Sequence, residues 1–414
     1  MDPIIFHVDV NSAYLAWSAV WDLSHGAALD LRTIPSIVGG DPANRHGIVL
    51  AKSNSAKEYG IVTGESLFSA LAKCPSLLIV PPRYKVYTKS SEAMVEILSR
   101  YSPVLERYSI DECFLDMGKL IRSEALELAQ EIRNVIKHEL GFTVNVGIGN
   151  NKLSAKMASD FKKPDLVHTL YPEEVETKLH PLPIEALFMV GPALARKLRN
   201  INIQSIGDLA RCDRKFLAER FGKIGLVIWN FAWGNDASKV NPDGTVEMKG
   251  MGNSTTLPHD ISDRTACHHT IISLLETLVT RLKAAQFHTT CIAVHYTTSD
   301  FKTRRHQKQL QNQTDSISYI LEIATALFDE IWEGQFIRKI GVSFSHLKSN
   351  KVVQLSMLDI EETQKKERLD DTMADIRDRF GDEALIRGIF VSSETKPFSG
   401  GVDEPDYKFM NSKL

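Results

Sequence analysis

Tyr108-Ser109-Ile110-Asp111-Glu112-Cys113-Phe114-Leu115-Asp116 sets two adjacent carboxylates inside a run of β-branched and aromatic residues that otherwise reads as a strand. Neighbouring side chains of a regular strand point to opposite faces, so Asp111 and Glu112 reach one site only where the strand begins or turns. Like charges held close repel unless a cation lies between them. A hard divalent ion bound by carboxylate oxygens resolves that, and Mg²⁺ is the usual choice where phosphates share the site. Taken alone, the stretch reads as well as a hairpin with exposed acids.

A second acidic strand end stands at the N-terminus. Ile4-Ile5-Phe6-His7-Val8-Asp9-Val10 reads as a buried strand, after which Asn11 or Ser12 caps a helix with Tyr14, Trp17 and Trp21 along its inner stripe. Asp9 then lies at the carboxyl end of a strand, where α/β sheets present ligand groups. With Asp111 and Glu112 alongside, three carboxylates and the Val10 carbonyl suffice to hold two metals roughly 3.5 to 4 Å apart, as in-line phosphoryl displacement requires.

Asp9-Val10-Asn11-Ser12-Ala13-Tyr14, Ser109-Ile110-Asp111-Glu112, and Val146-Gly147-Ile148-Gly149-Asn150-Asn151-Lys152-Leu153-Ser154-Ala155-Lys156 through Lys163-Pro164 together resemble the Y-family translesion DNA polymerases. The resemblance runs in the family's order over roughly the first 350 residues, and it implies an α+β multidomain, right-hand fold. The palm would take 1–12 and 79–170, the small fingers 13–78 and the helical thumb 171–236. A linker at 237–249 would lead to a split βαβ little finger at 250–348 and a tail at 349–414. It implies that Asp9, Asp111, Glu112 and the Val10 carbonyl bind two Mg²⁺. Ser12, Ala13, Tyr14, Asn54, Lys57 and Lys163 would then meet the incoming deoxynucleoside triphosphate, with Tyr14 as the steric gate where a ribose 2′-hydroxyl would sit. By periodicity alone, Tyr14 simply joins Trp17 and Trp21 in a core stripe.

The sequence departs from the family where a tyrosine and an arginine usually face the triphosphate, for it has Asn54 and Lys57. Lysine offers a point charge in place of a planar fork. Lys52, Lys57 and Arg83 lie within the fingers segment or at its edge, as candidate cations or as solvated surface charges. Lys152 and Lys156 read as i,i+4 neighbours on one exposed helical face, and Lys163 as the cation that matches the family position. Helices are expected from a cap at Ser90 or Ser91, with Met94, Ile97, Leu98 and Tyr101 inward, and from Glu124 to about Leu140.

Leu187 to Leu198 resembles a helix-hairpin-helix, whose turn at Gly191 and Ala193 would aim backbone amides at a DNA phosphate, with Pro192 removing one donor. Lys302-Thr303-Arg304-Arg305-His306-Gln307-Lys308 is the most basic stretch and is expected along a strand facing the duplex backbone. Gln354-Leu355-Ser356-Met357-Leu358 resembles the peptide that docks on the bacterial sliding clamp, with Gln354 hydrogen-bonding and Leu355, Met357 and Leu358 filling an apolar groove. Glu361 to Phe380 reads as a charged amphipathic helix.

Composition agrees with a multidomain chain: 414 residues are enough for two to four domains. Beyond position 358, 14 acidic against 9 basic residues leave the first 358 residues at +2 within a chain of net −3. Five cysteines without CxxC spacing argue for reduced thiols in a cytoplasmic protein, and no apolar run approaches a membrane span. The expected partners are primer–template DNA, deoxynucleoside triphosphates and the clamp, with the chain acting as a monomer and without a membrane. Competing readings are a palm-domain nucleotide cyclase and a catalytically silent DNA- and clamp-binding accessory.

Overall fold

The computed structural model of the chain describes residues 3–40, 47–242 and 248–349, and parts of 368–398. Two units separate, one from residues up to 40 and from 48 to 245, the other from 246 to 405. The division falls inside the stretch expected to tether domains.

The first unit is built on a five-stranded sheet in the order Leu105–Arg107, Glu112–Asp116, Ile5–Val10, Val144–Gly149, Val167–Leu170. The neighbours pair antiparallel except for the last two, which are parallel. Alternation along the first strand sends Phe6, Val8 and Val10 to one face, where they pack with Met94, Ile97, Ala129 and Ile132 of the helices Tyr84–Ser99 and Arg122–Leu140. His7 pairs with Gly147 and Ile5 with Gly149 on the opposite face. Here a Cβ on Gly147 would fall 1.9 Å from the Ala155 carbonyl oxygen, and one on Gly149 2.6 Å from Ser154 Cβ. Glycine therefore lets helix Lys152–Asp160 lie directly on the strand.

Three local expectations are corrected. The helix expected to be capped at Ser90 or Ser91 begins at Tyr84, because Tyr87 extends its buried stripe; Ser91 lies inside it and hydrogen-bonds the Ile110 carbonyl. Ser12 stands at the N-cap of the first helix in a left-handed conformation (φ 50°), without a side-chain cap bond. Trp17 is buried, but Trp21 is 39 % exposed and stacks on His25 instead of joining the core.

A three-stranded sheet centred on Ser36–Gly39, with Val49–Lys52 antiparallel and Leu78–Val80 parallel to it, forms the fingers around Ile37, Val49, Ile61 and Leu67. Its third strand runs two residues past the expected end at 78. The thumb gathers the helices Pro192–Arg199, Ile206–Arg211, Arg214–Phe221 and Lys223–Ala232 around Leu198, Ile206, Leu209, Leu217 and Ile228.

The second unit has a four-stranded antiparallel sheet in the order Thr303–Thr314, His288–Thr298, Ile337–Lys348, Gly250–Ile261. Helices Arg264–Ala284 and Ile317–Ile331 pack on one face, giving the split βαβ order. The described part of the tail packs on this unit. Asp370, 4 % exposed, accepts from the hydroxyls of Ser316 (2.8 Å) and Ser318 (3.0 Å) at the start of helix Ile317–Ile331, which Ser316 itself does not cap. Glu276, 1 % exposed, is held by Arg377 at 2.5 Å and by Arg387. A buried carboxylate stripped of its partners costs about 3–5 kcal/mol. Arg377→Ala combined with Arg387→Ala is therefore expected to lower the unfolding free energy of this unit by that amount, read as a fall in its denaturant midpoint, and adding Glu276→Leu is expected to recover most of it.

Candidate active site

The acidic strand begins at Glu112, so Asp111 stands in the turn before it and the two carboxylates escape the alternation that would part them. Asp9 and Glu112 are directly opposed across the antiparallel pair, which puts their side chains on one face, and the Val10 amide donates to the Asp111 carbonyl at 3.1 Å. The backbone thus brings all three acids and the Val10 carbonyl to one strand end.

Their side chains are engaged with lysines. Lys163 binds Asp9 and lies 2.8 Å from Asp160, while Lys156 lies 2.7 Å from Glu112. Asp111 has the Ser109 hydroxyl at 2.6 Å. As the side chains stand, no three His, Cys, Asp or Glu groups among the described residues are gathered tightly enough for a metal ion. The donor set nonetheless fits a hard divalent cation, being all oxygen and under electrostatic stress. Burial raises the Asp9 carboxyl, against the opposing charge of Lys163. Burial also raises Asp111, and the charge of Glu112 adds to it. Burial works the same way on Glu112, but His7 and Lys156 outweigh it and draw the group down to about 2.

Lys152 and Lys156 therefore correct the expectation of a solvated face. Lys152 is 14 % exposed and lies 2.7 Å from the buried Glu106. Lys156 is 12 % exposed, with the rings of Tyr108 and Phe188 within 5.5 Å. His7 was not anticipated either: it is fully buried, with Nδ1 2.8 Å from the Ser159 hydroxyl and Nε2 3.8 Å from Glu112. The glycine strand carried the signal, since close approach of the helix is what buries these groups.

Beside the acids a cleft of about 360 Å³ opens between palm and fingers, walled by Val10, Ser12, Asn54, Lys57 and Lys163 as expected, and also by Arg32, Lys52 and Thr143. Ala13 is buried and lies outside the walls, as does Tyr14. Tyr14 is half-buried and stacks flat on Tyr87, with centroids 4.6 Å apart and planes 9° from parallel. Arg83 is also elsewhere, paired with Asp22 at 2.8 Å.

In the thumb, Gly191 is the N-cap of helix Pro192–Arg199. Pro192 takes the first helical position, where its missing amide costs the helix nothing, and the Ala193 amide is among those left at the free end. The expected first helix of the hairpin is only a 3₁₀ turn, Ile184–Ala186.

On the second unit, strand alternation divides the basic stretch. Arg304 pairs across the sheet with buried Tyr296 and reaches Glu333 at 3.7 Å, whereas Arg305 pairs with His295 on the open face. Lys302 lies in the hairpin before the strand, 2.8 Å from Asp300. Both arginines are exposed on this edge strand, but adjacent strand residues point to opposite faces, so they do not present one continuous face. Gln354, Leu355, Met357 and Leu358 lie outside the described residues.

An acidic strand end opening on a cation-walled cleft between palm and fingers is the working arrangement of a right-hand polymerase, and the fold puts this chain in that class. Its sequence matches the impB/mucB/samB family over residues 8–160 and that family's C-terminal domain over 248–357. A DNA polymerase IV of Clostridium acetobutylicum is 45 % identical over 96 % of this chain and all of its own length, and one of Acetivibrio thermocellus is 36 % identical over 94 % and 98 %. Among solved structures, a Y-family DNA polymerase chimera superposes with a TM-score of 0.71 at 24 % identity, covering 84 % of this chain and all of its own. The chain belongs to the impB/mucB/samB family of Y-family polymerases, and it is a DNA-directed DNA polymerase of the translesion type. Membership carries a dependence on divalent metal. No described helix is long and apolar enough to cross a membrane.

Proposed function

We propose that the chain adds deoxynucleotides to a primer 3′-end at the Asp9, Asp111 and Glu112 cluster, using two Mg²⁺ ions. The observation that carries this reading is the opposition of Asp9 to Glu112, with Asp111 tied to Val10, at the mouth of the cation-walled cleft. Bound there, Mg²⁺ would lower the pKa of the primer hydroxyl and neutralise charge on the departing pyrophosphate. The protein's own part is positioning. Lys57 and Lys163 meet the triphosphate, Ser12 and Asn54 line its path, and Tyr14 stands where the sugar passes. Gly191 and Ala193 offer amides to a backbone phosphate, and the open face of the second unit, with Arg305, follows the duplex.

Primer extension on undamaged and abasic templates tests this reading; absence of template-directed synthesis on both would overturn it. The face assignment has its own check. Arg305→Gln is expected to reduce the slope of log K against log salt by about 0.9, the loss of one phosphate contact. Arg304→Gln is expected to change it far less. For clamp docking, the support is the sequence of residues 354–358 alone. Neither the cyclase nor the silent accessory accounts for relatives named DNA polymerase IV that match nearly the whole chain.

A further inference from the structure

Four cations wall the cleft, and two of them are already committed. Lys163 is tied to Asp9 and Asp160, and Arg32 forks onto Asp30 and donates to the Gly141 carbonyl at 2.7 Å. Lys52 and Lys57 form no ion pair with a described residue. Glu65, the acid that acts on Lys52, is itself taken up by Lys73 at 2.6 Å. Burial, and then the charge of Lys57, push the Lys52 ammonium below the ordinary lysine range. Two cations facing one cleft with no acid between them among the described residues are a local conflict, of the kind a folded chain keeps where an anion comes to relieve it.

The backbone that presents them is stiff. Lys52 ends strand Val49–Lys52 and Lys57 lies in helix Asn54–Glu58. Between them Ser53, 2 % exposed, accepts from the Ala56 amide at 3.0 Å and the Ser36 amide at 3.1 Å, while its own amide donates to the Ser36 carbonyl at 2.9 Å. The two ammonium groups are thus carried on a short segment pinned to the fingers sheet, with no hinge between them.

We infer that Lys52 is a triphosphate-binding residue, and that with Lys57 it forms a two-ammonium clamp on the β- and γ-phosphates of the incoming nucleotide in place of a single arginine fork. This rests on the cleft being the triphosphate site. Point charges read charge and not planar geometry, so this clamp binds the phosphate chain with little demand on its orientation and weakens as salt rises.

Single-nucleotide incorporation by the full chain tests it, with inorganic tripolyphosphate as a competing probe. Lys52→Met is expected to raise KM for the nucleotide about tenfold, the loss of one charge-assisted contact, with a smaller change in kcat. The inhibition constant of tripolyphosphate should rise in parallel, and Lys52→Arg should restore both. Should the methionine variant melt early, Lys52→Gln gives the same readout. If KM and the tripolyphosphate constant stay within twofold of the unaltered protein, the assignment of Lys52 is overturned. A failure of the underlying site looks different: Asp111→Asn would then retain full activity.

Discussion

Asp111→Asn is expected to cut primer extension by about a thousandfold or more while leaving the chain at least as stable as before. The activity loss follows from charge. Asparagine keeps the shape of the side chain but offers a neutral oxygen to a divalent cation, and a carboxylate ligand in a two-metal site is worth several kcal/mol of transition-state stabilisation, each 1.36 kcal/mol being tenfold. The stability half follows from the surroundings of this carboxyl. Burial raises it and the Glu112 charge adds to the strain, while the Ser109 hydroxyl at 2.6 Å is its side-chain partner. An ionised group held under those conditions works against folding at neutral pH, and removing its charge relieves that cost. Glu112→Gln makes the informative contrast, because Glu112 carries Lys156 at 2.7 Å and lies below its ordinary range. That variant should lose activity and stability together. Primer-extension rates and thermal midpoints, measured on both variants, separate the two. An Asp111→Asn protein with activity within tenfold of the original would remove Asp111 from the reaction.

The contrast between these acids also marks where sequence reading stops. Asp9 and the Asp111-Glu112 pair were legible because alternation and strand ends are local properties, written in runs of six to nine residues. The same alternation, followed one residue further along the basic strand, parts Arg304 from Arg305; counting the charge of the whole stretch conceals it. The i,i+4 spacing of Lys152 and Lys156 describes a helix surface without saying what lies against it, so from sequence the pair reads as exposed. Gly147 and Gly149 decide that, by removing the side chains that would hold the helix off the sheet, and the consequence is visible only once strand and helix are juxtaposed. The early start of the helix at Tyr84 has a similar cause. Ser91 is a good cap by type, but its hydroxyl serves the turn at Ile110, 19 residues away, and Tyr87 is claimed by the palm core. The stretch from Glu361 to Phe380 reads as a charged amphipathic helix without saying what it packs on, and Asp370, Arg377 and Arg387 meet partners 54, 101 and 111 residues back.

Tyr14 is where the structure sharpens an expectation most. Tyr14→Ala is expected to raise the use of ribonucleotides relative to deoxynucleotides by about ten- to a hundredfold, the range set by the 1–3 kcal/mol that an extra atom costs in a packed site. A gate works only if it cannot yield. The ring of Tyr14 lies flat on Tyr87 at 4.6 Å, and Tyr87 is fully buried with its hydroxyl 2.9 Å from that of Ser18. Tyr84 meets both rings edge-on, and Trp17 lies 6.1 Å from Tyr14. A 2′-hydroxyl pressing on this ring therefore presses on the palm core, which is too densely packed to take up the displacement. The same stack turns the Tyr14 ring toward the palm core and leaves it outside the cleft walls, while Ser12 and Leu15 of the same segment line the cleft. Tyr14→Phe keeps the ring and is expected to keep the discrimination. Single-nucleotide incorporation of matched ribo- and deoxynucleotides by the three proteins decides the matter. Equal discrimination in the alanine variant and the original would place the gate on another side chain and leave Tyr14 as part of the core.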